Sequence, residues 1–305
     1  MTSVPDHLVS LSERLRDAAA SHETTAVIGL GTRPLLENES TTDVARHVVS
    51  APSGVLDFQP AEMIVRCGAG TPLDELRAVL RSAGQDVNIG GSGTIGGALA
   101  RGWSDVHRLG RGSIRDVLLE TLLVDHRGAT IRVGGPTVKN VTGFDLARVL
   151  VGSLGTLGVL GEVTVRTRPL PLESRWSVID GVDRRRLDEV RRHLYRPTSL
   201  LWDGDRLWIH LEGHPQDIDE QLQRWGARSD SPPTLAPHRW SLPPDDALEV
   251  VGEKGDVVEV GVGLLHRRRP APSRRVTAPE VHRRLETEFD PHRLLNPQVK
   301  RFSER

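Results

Sequence analysis

Residues 90–100 read GGSGTIGGALA, and residues 152–163 read GSLGTLGVLGEV. Five of the eight positions from Gly90 to Gly97 are glycine, set in apolar text and not in a low-complexity tract. Glycine costs backbone entropy on folding, so a chain that collects it this densely needs close backbone approach or unusual turns there. The first stretch runs into a small-residue helix whose N-terminal N–H groups would suit a diphosphate. The second follows Lys139-Asn140-Val141-Thr142-Gly143-Phe144-Asp145, which holds one of only three lysines in the chain. There Thr142 and Asp145 can hydrogen-bond polyol or pyrophosphate oxygens, Lys139 adds charge, and the glycines at 152, 155 and 158 let backbone amides approach a planar ring. A third segment, Gly29-Leu30-Gly31-Thr32-Arg33, follows a short apolar run. Its amides could converge on an anion beside Arg33. It does not complete the G-x-G-x-x-G dinucleotide pattern, and alone it is as readily a plain turn.

Composition narrows the function classes. At 305 residues the chain is long enough for two domains, a larger and a smaller one. A formal charge of −1 offers no general attraction to phosphate backbones or anionic lipid, so nucleic acid is not an expected partner. The first twenty residues lack the basic-then-apolar arrangement of a signal peptide, and no apolar run approaches the roughly 18 residues of a membrane span. The expectation is a cytoplasmic protein with no transmembrane segment, membrane-associated if at all through partner subunits. The single cysteine, Cys67, leaves no intramolecular disulfide and too few thiolates for an iron–sulfur cluster. Electron transfer would need an organic cofactor or a partner. Cys67 itself reads as a small buried hydrophobe.

Periodicity predicts an opening helix through Leu8, Leu11, Leu15 and Ala18, a strand at 26–29 and another at 62–66. Thr71-Pro72-Leu73-Asp74 reads as an N-cap, a proline at the first helical position and an early acid, starting a helix that ends at Gly84. Strands at 117–124 and 129–133 form a hairpin around Asp125–Gly128, followed by a helix near 145–151 and a strand at 157–166. From Trp176 the texture changes to strand 176–181, helix 183–195, strands 199–202 and 206–211, helix 215–226 and strand 256–263, a ferredoxin-like βαββαβ order. Proline-rich linkers at 232–244 and 270–273 interrupt it, and a last helix spans 279–289.

Five stretches together carry a family resemblance: TIGGALA (94–100), GSIRDVLLETLLVDHRG (112–128), GG-x-x-VKNVTGFDL (134–146), GSLGTLGVLGEV (152–163) and Asn296-Pro297. Their order and spacing across about 25–170 resemble the FAD-binding subunit of bacterial glycolate oxidase, within the PCMH-type, vanillyl-alcohol-oxidase-like flavoproteins. The resemblance implies an α+β fold. An FAD-binding PCMH-type domain of two subdomains would cover 1–172, a small ferredoxin-like cap 173–275, and a C-terminal helix and tail 276–305 would return to the flavin. It implies FAD contacts from Gly29, Gly31, Thr32 and Arg33 and from Thr94, Ile95, Gly96 and Gly97 at the pyrophosphate. Lys139, Thr142, Gly143, Asp145, Gly152, Gly155, Thr156, Gly158 and Val159 would pack around the adenine and ribityl parts, and Asn296 would stand near the flavin. Two departures stand out: the stretch between Gln85 and Thr94 is shorter than usual, and Asn-Pro-Gln replaces Asn-Pro-Gly at the chain's end. No histidine lies in the first glycine loop, which favours non-covalent FAD.

Where catalysis should be, the residues say less. Flavin oxidation of a 2-hydroxy acid needs a cation for the carboxylate and a base for the hydroxyl proton. The glycine- and acid-rich metal-binding histidine motif that related dehydrogenases carry in the cap is not found, so no metal is expected and no catalytic residue is assigned. His210 and His214, four residues apart on a strand, would stand ~13 Å apart and read as surface histidines. The arginine runs 184–186, 191–192 and 267–269 read as solvated faces balanced by acids. The functional expectation is an FAD-dependent oxidoreductase subunit of a glycolate- or lactate-type 2-hydroxy acid dehydrogenase complex. It would pass electrons between a catalytic flavoprotein subunit and an iron–sulfur subunit. A stand-alone flavoenzyme acting on another small alcohol, and an assembly subunit that has lost flavin, are the alternatives.

Overall fold

Leu11, Leu15 and Ala18 recur on one helical face, and in the computed structural model they form the buried side of α1 (Val9–Ala20). The structure describes residues 4–32, 45–135, 146–272, 279–297 and 299. The chain divides into two compact units. The first comprises 1–104, 113–169 and 275–305, and the second 105–112 and 170–274.

In the first unit α1 packs near the parallel pair β1 (Thr25–Val27) and β2 (His47–Val49). A larger antiparallel sheet holds β3 (Val55–Gln59), β4 (Ile64–Gly68), β6 (Leu118–Val124), β7 (Thr130–Gly134) and β8 (Val159–Pro169) in the order β3-β4-β8-β6-β7, with β5 (Gln85–Val87) also on β8. Three helices, α2 (Leu73–Arg81), α3 (Ile95–Arg101) and α4 (Leu146–Leu150), bury Leu73, Leu76, Leu80, Ile95, Leu99 and Leu150 against Val65, Val163 and Val165 of the sheet. The leucines of α2 recur three and four residues apart, the spacing that keeps one helical face apolar. The predicted hairpin is present as β6 and β7. Its turn is fastened by Asp125 Oδ1, which accepts from the N–H groups of Arg127 at 2.9 Å and Ala129 at 2.8 Å.

One helix start differs from expectation. Thr71 does not cap α2. Its hydroxyl donates to Gly68 O at 2.6 Å and accepts from Gly54 N–H at 2.9 Å, tying a tight turn to the strand before it. The first N–H of α2, that of Leu73, instead meets Gly93 O at 2.8 Å. A glycine loop thus caps this helix, a partner twenty residues away that no local capping pattern reveals.

The second unit is a seven-stranded sheet in the order β12-β9-β11-β10-β14-β15-β13. Its strands are β9 (Glu173–Ile179), β10 (Ser199–Trp202), β11 (Leu207–Gly213), β12 (Arg228–Ser229), β13 (His238–Ser241), β14 (Val257–Glu259) and β15 (Leu264–Arg267). The helices α5 (Arg184–His193), α6 (Pro215–Trp225) and α7 (Pro244–Glu249) bury Leu187, Val190, Ile218, Leu222 and Leu248 on it. β9-α5-β10-β11-α6-β12 is the βαββαβ order, with β11 paired to both β9 and β10. The closing strand is the two-residue β12, and not the predicted 256–263. That stretch breaks at Gly261 and Gly263, both at positive φ, into β14 and the turn to β15, and β14 pairs with β10 on the opposite side of the sheet. The proline-rich 232–244 is likewise no plain linker, since it contains β13.

The arginine runs divide. Arg184 and Arg191 on α5 face Asp188, Asp245 and Glu249 at 3.5–4.0 Å across solvent, as a balanced surface would. Arg267 is instead 3% exposed, its Nε 2.9 Å from Asp256 Oδ1 and a terminal nitrogen 2.7 Å from Val250 O. The guanidinium holds the Asp256 carboxyl below its ordinary range, against the upward push of desolvation. A run of like residues gives no warning that its first member points inward.

Candidate functional site

The first unit contains a cleft that opens to solvent. Four segments line it: Val27–Thr32 after β1, Ser92–Arg101 around the start of α3, Leu154–Leu160 before and within β8, and Asn296 from the chain's end, with Ala51, Ala69 and Gly70 at its back. Of the residues singled out from the sequence, Gly29, Gly31, Thr32, Thr94, Gly96, Gly97, Gly155, Gly158, Val159 and Asn296 all line this one cleft. Arg33, Lys139, Thr142, Gly143 and Asp145 lie outside the described residues.

Three others do not line it. Ile95 is fully buried in the core. Gly152 donates its N–H to Leu99 O at 3.0 Å, where it meets the end of α3. Thr156 closes its own turn, its hydroxyl donating to Ser153 O at 2.7 Å. Backbone packing explains their presence in the glycine-rich stretches.

The cleft walls require glycine. A Cβ on Gly29 would stand 2.6 Å from Thr94 Oγ1, one on Gly93 2.7 Å from Thr32 Oγ1, and one on Gly96 2.7 Å from Ala69 O. The 29–32 turn and the 92–97 loop therefore lie directly against each other. Arg77 of α2, absent from the sequence expectations, pins that loop from outside by donating to Ile89 O at 2.5 Å and Gly91 O at 2.9 Å. Its only local signal is an arginine among leucines on a helix that precedes the loop.

The anticipated free N–H groups at the start of α3 are already used. Those of Ile95 and Gly96 donate to Thr71 O and Ala69 O at 3.0 and 2.8 Å, and that of Gly97 to the capping hydroxyl of Thr94 at 3.1 Å. Among the described residues no acceptor meets the N–H groups of Gly29, Leu30, Gly31 or Thr32. The same holds for Ser92, Gly93, Gly155 and Gly158, so the donors available to an anion belong to the glycine turns, and the helix serves as a packed wall.

Asn296 occupies an unusual place. It is 1% exposed and left-handed at φ 45°. Its Oδ1 accepts from Val27 N–H at 2.7 Å, its Nδ2 donates to Leu154 O at 2.7 Å, and its own N–H donates to Thr25 O at 2.8 Å. The segment that delivers it is fixed by Asp290, whose carboxylate accepts from Leu294 N–H at 3.0 Å and Leu295 N–H at 2.8 Å. Cys67 is wholly buried behind the cleft wall, and burial pushes its thiol up to about 12, as an inert core residue requires.

The second unit has a polar cluster of its own. His210 is 2% exposed, not a surface histidine, and it sits on β11 while His214 precedes α6. Its Nε2 stands 2.9 Å from Ser174 Oγ and its Nδ1 bonds Thr198 Oγ1. The His107 and Trp176 rings pack against it at 4.5 and 4.8 Å between centroids. Burial, reinforced by His107, drives its pKa down to about 3, so the ring is neutral at pH 7. Among the described residues no group of histidine, cysteine and acid side chains could hold a metal ion.

Residues 2–134 match the FAD binding domain family. The glycolate oxidase subunit GlcE of Escherichia coli (strain K12) is 31% identical over 219 residues, 68% of this chain and 61% of that protein. The D-lactate dehydrogenase of Archaeoglobus fulgidus is 34% identical over 117 residues, 37% of this chain and 26% of its own, and the glycolate oxidase subunit GlcD of Bacillus subtilis is 40% identical over 78, covering 26% and 17%. The chain spans less than two thirds of the length of these relatives. Among solved structures, alkyldihydroxyacetonephosphate synthase superposes with a TM-score of 0.68 at 15% identity, covering 95% of this chain and 74% of that one, a likeness of fold alone.

Proposed function

We infer that the chain carries an FAD-binding domain of the PCMH type in an α+β fold and takes FAD as its cofactor. We propose that it works as the FAD-binding subunit of a glycolate- or lactate-type 2-hydroxy acid dehydrogenase complex. Its first unit would be the FAD-binding domain and its second the cap. The observation that carries this reading is the cleft in which glycine segments far apart in sequence meet, in a chain related to flavin-dependent oxidoreductases of 2-hydroxy acids.

The cleft residues suit the task. Unpaired N–H groups at Gly29–Thr32 would take the pyrophosphate, and the Gly155–Gly158 turn would let backbone lie against the cofactor's flat or polyol parts. No histidine, cysteine or tyrosine is among the described residues lining the cleft, which supports non-covalent attachment. What FAD supplies when bound is a two-electron acceptor for the hydroxyl-bearing carbon of the substrate. The protein's own part is to exclude water with Val27, Ile28, Ala98, Leu154 and Leu160 and to hold the cofactor in register. The protein would pass electrons between a catalytic flavoprotein subunit and an iron–sulfur subunit, the cluster lying in the partner because one cysteine cannot ligate it. The naming of two relatives as glycolate oxidase subunits supports such a complex. Among the described residues no helix is long and apolar enough to cross a membrane.

The visible spectrum of the purified protein, taken before and after acid precipitation, tests the reading. About one FAD per chain in the supernatant is expected. A protein that stays colourless after incubation with FAD overturns it, and flavin retained in the pellet overturns non-covalent attachment.

A further inference from the structure

Asn296 is fully engaged by the protein, and both partners of its side chain belong to cleft walls. Val27 N–H, which bonds Oδ1, leads two residues later into the Gly29–Thr32 turn. Leu154 O, which bonds Nδ2, lies next to Gly155, whose missing side chain makes room for that same amide: a Cβ there would stand 2.7 Å from Nδ2. An amide is the small side chain that accepts with one atom and donates with the other, and Asn tolerates the left-handed backbone found here. An aspartate could serve Val27 but would turn a second oxygen toward the Leu154 carbonyl. A leucine of similar size could serve neither.

We propose that Asn296 is the positioning residue of the FAD site, setting the distance between its two walls from the chain's end. This inference rests on the reading of the cleft as the FAD site. Asn296 need not touch the cofactor. It joins a donor turn to a glycine turn separated from it by more than 120 residues, so that cofactor affinity depends on the docking of residues 290–296. The C-terminal segment, anchored by buried Leu295 and by Thr25 N–H donating to Leu294 O, thus reaches the cofactor site through the Asn296 side chain.

The test uses the full chain and titrates FAD by quenching of its fluorescence. Three variants are compared with the wild type: Asn296→Gly, which keeps the left-handed backbone while deleting the amide; Asn296→Asp, which keeps only the acceptor; and Thr121→Val, which deletes a buried hydrogen bond to Glu162 O away from the cleft. Asn296→Gly is expected to weaken FAD binding about thirtyfold and to shift the visible bands of the saturated flavin. Asn296→Asp should weaken it about tenfold, by losing one of two hydrogen bonds and facing two acceptors. Thr121→Val, of comparable thermal stability loss, should bind as the wild type does. Equal FAD affinity and identical flavin spectra in Asn296→Gly and wild type overturn the inference while leaving the cofactor site intact, as does an equal loss in Thr121→Val. Absence of FAD binding in the wild type overturns the reading beneath it instead.

Discussion

The cleft of the first unit and the polar cluster of the second are built in opposite ways. The cleft exposes backbone: its available donors are N–H groups of the glycine turns, those of Gly29–Thr32 among them, and its shape follows from missing side chains at Gly29, Gly93 and Gly155. The second unit buries side chains, pairing Arg267 with Asp256 and enclosing His210 between Ser174 and Thr198. A backbone site tolerates many residue types around it but no bulk within it. A buried side-chain network tolerates bulk poorly too, yet its greater sensitivity is to charge.

That contrast can be broken by substitution. Gly155→Trp or Gly97→Trp should abolish FAD binding while leaving far-ultraviolet circular dichroism unchanged, because the ring fills space the backbone site needs. Full flavin content in either well-folded variant would refute the placement. Arg267→Ala strands the Asp256 carboxylate in the second unit and should cost roughly 3–5 kcal/mol in urea unfolding, with FAD content per folded chain unchanged. Loss of flavin in step with that destabilisation would erase the distinction between the two regions.

Smaller effects sharpen it. His210 has a folded pKa near 3 against an ordinary 6.5, so it is neutral in both states above pH 6.5 and contributes nothing there. Below that, the unfolded ring takes a proton that the folded one refuses, and stability falls as pH drops toward 3, by about 3 kcal/mol at pH 4. A His210→Gln variant should show a flatter acid-unfolding curve, and an equally steep one would remove His210 from the account. Last, Thr94→Ala deletes the cap of α3 and should cost about 1 kcal/mol of stability, read by thermal melting. Because the helix start is already occupied by protein acceptors, FAD affinity should fall only a fewfold. A hundredfold loss would restore the helix N-terminus as the anion site.

Much of the architecture was readable in the residues. The leucine spacing of α1 and α2, the β6–β7 hairpin around Asp125 and the βαββαβ order are local patterns, each with a period or turn residue to mark it. The closing strand was misplaced because β12 is only two residues long and exposed, with no apolar alternation to detect, while 256–263 is apolar enough to resemble a single strand until two glycines break it. His210 reads as surface from its pairing with His214 despite flanking Ile209 and Leu211, and Arg267 from its run with Arg268 and Arg269, whereas the partners of both come from other strands and turns.

The cofactor site divides the same way. Glycine density alone marked the cleft, since a position where any Cβ collides leaves a trace in composition. The resemblance of five linked stretches identified the cofactor class. Only the tertiary structure showed that the start of α3 has no spare donors, that Arg77 holds the loop before it, and that Asn296 ties Val27 to Leu154. Apart from the Thr94 cap, these are hydrogen bonds between groups from 12 to 269 positions apart, most of them to backbone atoms. A backbone carbonyl or N–H is the same whatever residue carries it, so the sequence holds no mark of which one a distant side chain will meet.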